Sequence, residues 1–244
     1  MRKILAYPLT VIYFIFFGLT LVVFHPIQWI CLRVFGYKAH KISVDWLNFF
    51  LLRCLNLLGT RFSFNNPHKI PTNRPCIIVA NHQSMYDIPP IIWYMRKHHA
   101  KFISKKELGK GIPSISFNLK HGGAALIDRK DPDQALKAIQ ALAASSEQNS
   151  RSVVIFPEGT RSRTGHPKKF QTGGLKVLFK GIPSALVVPI SINNSWKTLR
   201  YGKFPMGIGT HMKFQVHEPI ELKGKDHDTL INQIEETISK AITV

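Results

Sequence analysis

Cys76-Ile77-Ile78-Val79-Ala80-Asn81-His82-Gln83-Ser84-Met85-Tyr86-Asp87 sets the frame for the whole chain. Its first five residues are an unbroken apolar run, as expected of a strand buried on both faces. The run ends on Asn81-His82, and a carboxylate follows five residues after the histidine. An imidazole ordinarily titrates near neutrality, so it can accept a proton from a hydroxyl and return it later. A carboxylate on its other ring nitrogen would fix the tautomer and stabilise the imidazolium. The spacing works only if His82 lies in a turn and Asp87 in the first helical turn behind it. Ser84 and Asp87 also have the spacing of a capping box, so Asp87 could equally serve to start a helix.

Outward from this stretch, short β-rich runs alternate with helical ones. The strand pattern falls on Cys76–Ala80, Lys101–Ser104, Ala124–Ile127, Val153–Phe156, Ala185–Ile192 and Lys213–His217. The helical pattern falls on Pro89–Lys97, Ser114–Lys120, Asp133–Ser145, Gly174–Lys180 and Thr229–Ala241. Strands separated by helices predict an α/β fold, a mostly parallel sheet covered by helices. In such sheets ligands bind beyond the carboxyl ends of the strands. Four of these strands end in polar clusters: Asn81-His82, Lys105-Lys106-Glu107, Asp128-Arg129 and Pro157-Glu158-Gly159-Thr160-Arg161. Parallel strands would bring the four to one edge. In the last cluster Gly159 permits a tight turn, and Arg161 offers a planar fork for phosphate. A solvated turn with a surface ion pair is the plainer reading of the same residues.

The chain has 244 residues, 33 Lys plus Arg against 14 Asp plus Glu, and a net charge of +19. That is enough for one well-buried domain with an appendage, and the charge implies a polyanionic partner. Nucleic-acid binding calls for aromatic residues interleaved with basic clusters. Here the aromatic density lies in the charge-poor N-terminus, so an anionic membrane face is the expected partner and nucleic acid is not. Cys31, Cys54 and Cys76 have no spacing suited to zinc, and no metal is implied. His98-His99 read as cations at a helix end, and His121 as a helix-end residue, none of them catalytic.

Ile4 to Phe24 is a run of 21 residues without a charge, 14 of them Leu, Ile, Phe or Val. It is long enough to cross a bilayer, and no small-residue cleavage site follows it. Both its flanks are basic, so they do not choose an orientation. From Ile42 to Leu58 the polar residues Asp45, Asn48, Arg53 and Asn56 cluster on one arc of a helix. They leave a broad apolar face, the pattern of a helix lying in a membrane interface. Residues 1–64 are therefore expected to form a membrane-associated helical region, by interfacial attachment or a single span. Residues 65–244 are expected to form the α/β domain.

Taken together, Asn81-His82-x4-Asp87 and Phe156-Pro157-Glu158-Gly159-Thr160-Arg161-Ser162 resemble the glycerolipid acyltransferases, in particular the 1-acylglycerol-3-phosphate acyltransferases. Lys105-Lys106-Glu107-Leu108 with Ile112-Pro113 and Ile127-Asp128-Arg129 resembles the second block of that family. Val187-Val188-Pro189-Ile190 resembles its fourth. Ser114-Ile115-Ser116 departs from it, standing where the family commonly carries a glycine. The resemblance implies transfer of a fatty acyl group from acyl-CoA or acyl carrier protein to the sn-2 hydroxyl of a lysophospholipid, with no further cofactor. Another lysolipid, glycerol 3-phosphate or an aminolipid are the alternative acceptors. His82 would be the base and Asp87 its orienting partner. Lys105, Glu158, Gly159, Thr160, Arg161 and Pro189 would contact substrate. The resemblance further implies a phospholipid membrane as partner, with the catalytic domain on the cytoplasmic face of the cell inner membrane.

Overall fold

The computed structural model describes residues 2–244. Eight strands form one sheet, in the order β1-β7-β6-β2-β5-β3-β4 with β8 beside β6. They are β1 (Arg61–Asn65), β2 (Cys76–Ala80), β3 (Lys101–Lys105), β4 (Ala125–Ile127), β5 (Val153–Ile155), β6 (Leu186–Asn193), β7 (His211–Val216) and β8 (Ile220–Glu221). Strands β6, β2, β5, β3 and β4 run parallel. β7 and β8 pair antiparallel with β6, and β1 runs parallel to β7. The mostly parallel sheet is thus as expected. The sequence patterning did not locate β1, and the boundary expected at 64/65 falls inside it.

Alternating residues of the central strands feed two cores. Ile78, Val154, Val188 and Ile190 face one side, where Tyr13, Leu55, Leu58 and Ile91 cover them. Ile77, Val79, Val153 and Val187 face the other, under α5 (Pro132–Gln148), α6 (Thr172–Gly181) and α7 (His227–Lys240). The first side is covered by α1 (Arg2–Val34), α2 (Gly36–Asn56) and the short α3 (Ile88–Tyr94). α4 (Ile115–His121) connects β3 to β4.

α1 and α2 form an antiparallel hairpin, as the contacts of Phe24 with Phe50 and of Thr20 with Cys54 show. Gly36, at φ +79°, turns the chain between them; that left-handed conformation strains any residue with a Cβ. α1 is long and apolar enough to cross a membrane, yet it lies against the domain along most of its length. Thr10 Oγ1 accepts from the backbone N–H of Met206 at 2.9 Å, and Tyr13 packs edge-on against Tyr86. Near its other end, Leu21 O accepts from the Ser114 hydroxyl and His25 Nδ1 from the Ser114 N–H. Ser114 itself has φ +59°, and the N–H of Ile115 reaches back to Pro113 O at 2.6 Å. This is a γ-turn, rare outside glycine. The Ser114 hydroxyl thereby ties the start of α4 to α1.

The polar arc of α2 divides: its first two residues point inward, Asn56 is half-buried and Arg53 is exposed. Asp45 and Asn48 are buried, while Ile42, Trp46, Phe50 and Leu57 are exposed. The outer face of α1 is likewise apolar, with Ile4, Val11, Ile15, Leu19, Val22 and Trp29 exposed. Two neighbouring helices thus both expose large apolar side chains, of a kind that water-soluble monomers rarely leave uncovered in number. The histidines after α3 correct one expectation. His98 and His99 are not charged helix-end cations. Burial, reinforced by nearby basic residues, lowers both pKa values, that of His99 to about 3.

Candidate active site

The parallel register brings the strand-end clusters to one edge. Val79 of β2 is level with Ile155 of β5, so His82 and Glu158, each three residues further on, leave adjacent strands side by side. The loop after β5 is tied to the turn after β2, because Ser162 N–H donates to His82 O at 2.7 Å. Asn81 anchors the same turn to β6, accepting from Ile192 N–H at 2.7 Å and donating to Ile192 O at 2.9 Å.

His82 Nδ1 lies 2.8 Å from Asp87 Oδ2. The same oxygen accepts from the backbone N–H groups of Gln83 (2.8 Å) and Ser84 (2.9 Å). The Ser195 hydroxyl donates to Oδ1. Asp87 is wholly buried, and the His82 side chain is 13% exposed. With Nδ1 committed to Asp87 as a donor, Nε2 carries the free lone pair. Phe156 stacks on the ring, centroids 4.2 Å apart, and fixes its plane. The capping box of Ser84 and Asp87 is also present. Asp87 therefore holds both roles read from the sequence, since one carboxylate accepts from the imidazole and from the turn.

Glu158 is 3% exposed, and neither carboxylate oxygen has a hydrogen-bond partner. Burial raises its pKa to about 7; the backbone N–H groups of Lys168 and His82 approach closely enough to oppose the shift but do not bond. Folding therefore holds this proton more tightly than the unfolded chain does. Stability is lost as pH rises from about 4.5 through about 7, and the loss is complete above that window. Glu158→Gln is accordingly expected to raise the unfolding free energy at pH 8 by on the order of 2–3 kcal/mol, and with it the midpoint, and to leave both nearly unchanged at pH 4.5. Thermal unfolding of both proteins at the two pH values checks this; an equal difference at both would remove Glu158 as the titrating group.

Gly159 has φ +68°, and a Cβ there would meet the Gln171 side chain at 3.0 Å. The left-handed φ is what needs glycine here, since the end of the Gln171 side chain could move aside. Thr160 and Arg161 are exposed beyond it, and Lys168 Nζ donates to Thr160 Oγ1 and to Arg161 O. Arg161 is close enough to Arg129, which follows β4, to help lower the pKa of that guanidinium, after burial. Lys105 ends β3 in register with Ile127 of β4 and is exposed on the same edge. The edge that carries His82 thus also carries a rim of basic residues, Lys105, Arg129, Arg161 and Lys168, with Glu107 near Arg129. Pro189 is not brought there. It is buried within β6, level with Val79, where the antiparallel partner of that strand changes from β8 to β7. A proline fits this point of the sheet, so its position has a structural reason and the expected substrate contact does not follow.

Ser195 is the residue that sequence patterning missed. β6, like the other parallel strands, ends in a polar run, Asn193-Asn194-Ser195. The rule that singled out His82 and Glu158 covers it as well.

A half-buried, carboxylate-oriented imidazole with a free nitrogen thus lies at the carboxyl edge of a parallel sheet, beside a basic rim. Residues 61–193 match the family described as Acyltransferase, more than half of the chain, and the chain belongs to that family. It is 30% identical over 176 residues to a chloroplastic 1-acyl-sn-glycerol-3-phosphate acyltransferase of Brassica napus, covering 71% of this chain and 48% of the relative. It is 37% identical over 127 residues to a 1-acyl-sn-glycerol-3-phosphate acyltransferase of Helicobacter pylori, covering 49% and 51%. The chain thus spans about half the length of these relatives. The crystal structure of the 1-acyl-sn-glycerophosphate acyltransferase PlsC from Thermotoga maritima superposes with a TM-score of 0.79 at 25% identity, covering 98% of this chain and 95% of that one.

Proposed function

We propose that the protein transfers a fatty acyl group from an acyl thioester, acyl-CoA or acyl carrier protein, to the sn-2 hydroxyl of 1-acylglycerol 3-phosphate, giving phosphatidic acid. The observation that carries this reading is the free Nε2 of His82, its tautomer set by Asp87. Nε2 takes the proton of the acceptor hydroxyl, and the oxygen attacks the thioester carbonyl. The carbon–sulfur bond breaks, and the leaving thiolate takes the proton back from the imidazolium. Asp87 stabilises that imidazolium from a buried position. Arg161, with Lys105 on the same edge, holds the acceptor phosphate, and Glu158 orients the glycerol or the guanidinium. Arg161→Ala is expected to raise KM for the phosphorylated acceptor about 10- to 100-fold, the scale of one lost charge-assisted contact, with KM for the thioester little changed. Steady-state kinetics across lysophospholipid, glycerol 3-phosphate and aminolipid acceptors measure this; an unchanged acceptor KM would detach Arg161 from the phosphate.

The apolar faces of α1 and α2 support attachment to one leaflet, which the proposed reading places at the cytoplasmic face of the cell inner membrane. An α1 docked from Thr10 to His25 leaves little of its length free to cross a bilayer. Protease treatment of sealed vesicles bearing an N-terminally tagged chain tests this. The tag and the catalytic domain are expected to be cut from the same side; protection of the tag alone would establish a span.

A further inference from the structure

A second basic site lies at the opposite end of β3 from Lys105. The strand spans five residues, so the two ends are roughly 13 Å apart. There, α2, the turn after α3 and the start of β3 enclose a cavity of about 50 Å³ that opens partly to solvent. Lys41, Arg96 and Lys101 line it, together with Tyr37, His40 and His99. Arg151 closes over the Tyr37 ring at 4.5 Å, and Lys101 Nζ lies 5.2 Å from the same ring. Asp45 is the one carboxylate lining the cavity, and it is engaged by Lys41 at 2.5 Å. Among the described residues, neither Lys101 nor Arg151 has an acidic partner within ion-pair distance. His40 adds an independent sign. It is 1% exposed, and its buried Nε2 has no hydrogen-bond partner. Lys41 and Lys101 line the cavity with Asp45, Arg151 adjoins it through the Tyr37 ring, and Arg96 lies at its edge against Trp93; like charges this close in partly desolvated surroundings repel one another unless an anion joins them.

We propose that this cavity is a second anion site, separate from the catalytic edge, and that it holds a phosphate group. Lys101 and Arg151 supply the charge, Arg96 and Lys41 extend it, and His40 offers a nitrogen able to donate. Burial first, then Arg151 and Lys41, push the Lys101 pKa down to about 7, so its charge is crowded by its neighbours. The surroundings favour a phospholipid headgroup over free phosphate. The cavity is walled by α2, whose outer face exposes Ile42, Trp46 and Phe50, and Trp46 packs on Trp93 at 5.7 Å. Tryptophans beside lysine and arginine are the usual furniture of the headgroup layer. A headgroup bound here would clamp the hairpin to the domain at one end of α3, whose other end begins at Asp87.

The test uses the full chain in an uncharged detergent, with inorganic phosphate, short-chain phosphatidylglycerol and short-chain phosphatidylcholine as probes. Two readouts are followed: the unfolding midpoint, and acetylation of Lys101 mapped by mass spectrometry. The anionic probes are expected to raise the midpoint by several degrees and to slow Lys101 acetylation at least fivefold, leaving exposed Lys176 unaffected. Both effects should persist in Arg161→Ala, and the midpoint shift should vanish in Lys101→Met and Arg151→Gln. Without a probe, Lys101→Met should be no less stable than the wild type, because it removes a buried repulsion. Protection at a lower concentration of phosphatidylglycerol than of inorganic phosphate identifies a headgroup as the source, and the reverse identifies free phosphate. Absence of Lys101 protection by either anion overturns the site in the wild type alone, whatever the variants do. A midpoint shift lost in Arg161→Ala but kept in Lys101→Met overturns it too.

Discussion

Asp87→Ala is expected to lower kcat by about 10³-fold or more, and Asp87→Asn by roughly tenfold less. The difference follows from the four groups that point at this carboxylate. Oδ2 faces three donors: the His82 ring and the N–H groups of Gln83 and Ser84. An asparagine can meet them only with its oxygen, because its NH₂ would oppose two backbone N–H groups. The NH₂ then falls on Ser195, whose hydroxyl rotates to accept. Asparagine at this position thus preserves the tautomer of His82 and the start of α3 but loses the negative charge behind the imidazolium. Alanine loses all of these, and with them about 1–3 kcal/mol for the two backbone donors left buried. Turnover numbers and unfolding midpoints of the two variants check this. Equal losses of activity in both would mean that charge alone, and not the tautomer, is what Asp87 contributes.

Much of this geometry could be read from residue order. The run Cys76–Ala80 is apolar at every position because β2 lies between β5 and β6 with helices on both faces. That continuity identified the central strand and therefore the edge where His82 lies. The elements that escaped lie where local pattern and tertiary role diverge. β1 is a five-residue edge strand whose Phe62 and Phe64 alternate with polar residues, and its only partner, β7, lies 150 positions away. The inward turn of Asp45 and Asn48 on α2 could not be seen either. A helix between a protein and a lipid surface shows the same periodicity as one between a core and water, and only the packing tells which face is which. Ser195 required the partner of Asp87 to be known, which no single motif contains. The basic cavity around Lys101 assembles residues from positions 37 to 151, each unremarkable on its own in a chain of charge +19.

The central claim is that Nε2 of His82 removes the acceptor proton. His82→Ala removes the base while leaving intact the backbone around it, which is held by Asn81, Ser162 and the capping box. The fold should survive, since the ring is partly exposed and packs chiefly against Phe156. General-base catalysis supplies about 10²–10⁴-fold, and here the same group also returns the proton to the thiolate, so a loss at the upper end, about 10⁴-fold, is expected. The direct measurement is transfer of radiolabel from an acyl thioester to 1-acylglycerol 3-phosphate by purified wild type and His82→Ala, at matched folded concentration. The account predicts labelled phosphatidic acid from the wild type and a rate at least about 10³-fold lower from the variant. Equal turnover by the two proteins would contradict it.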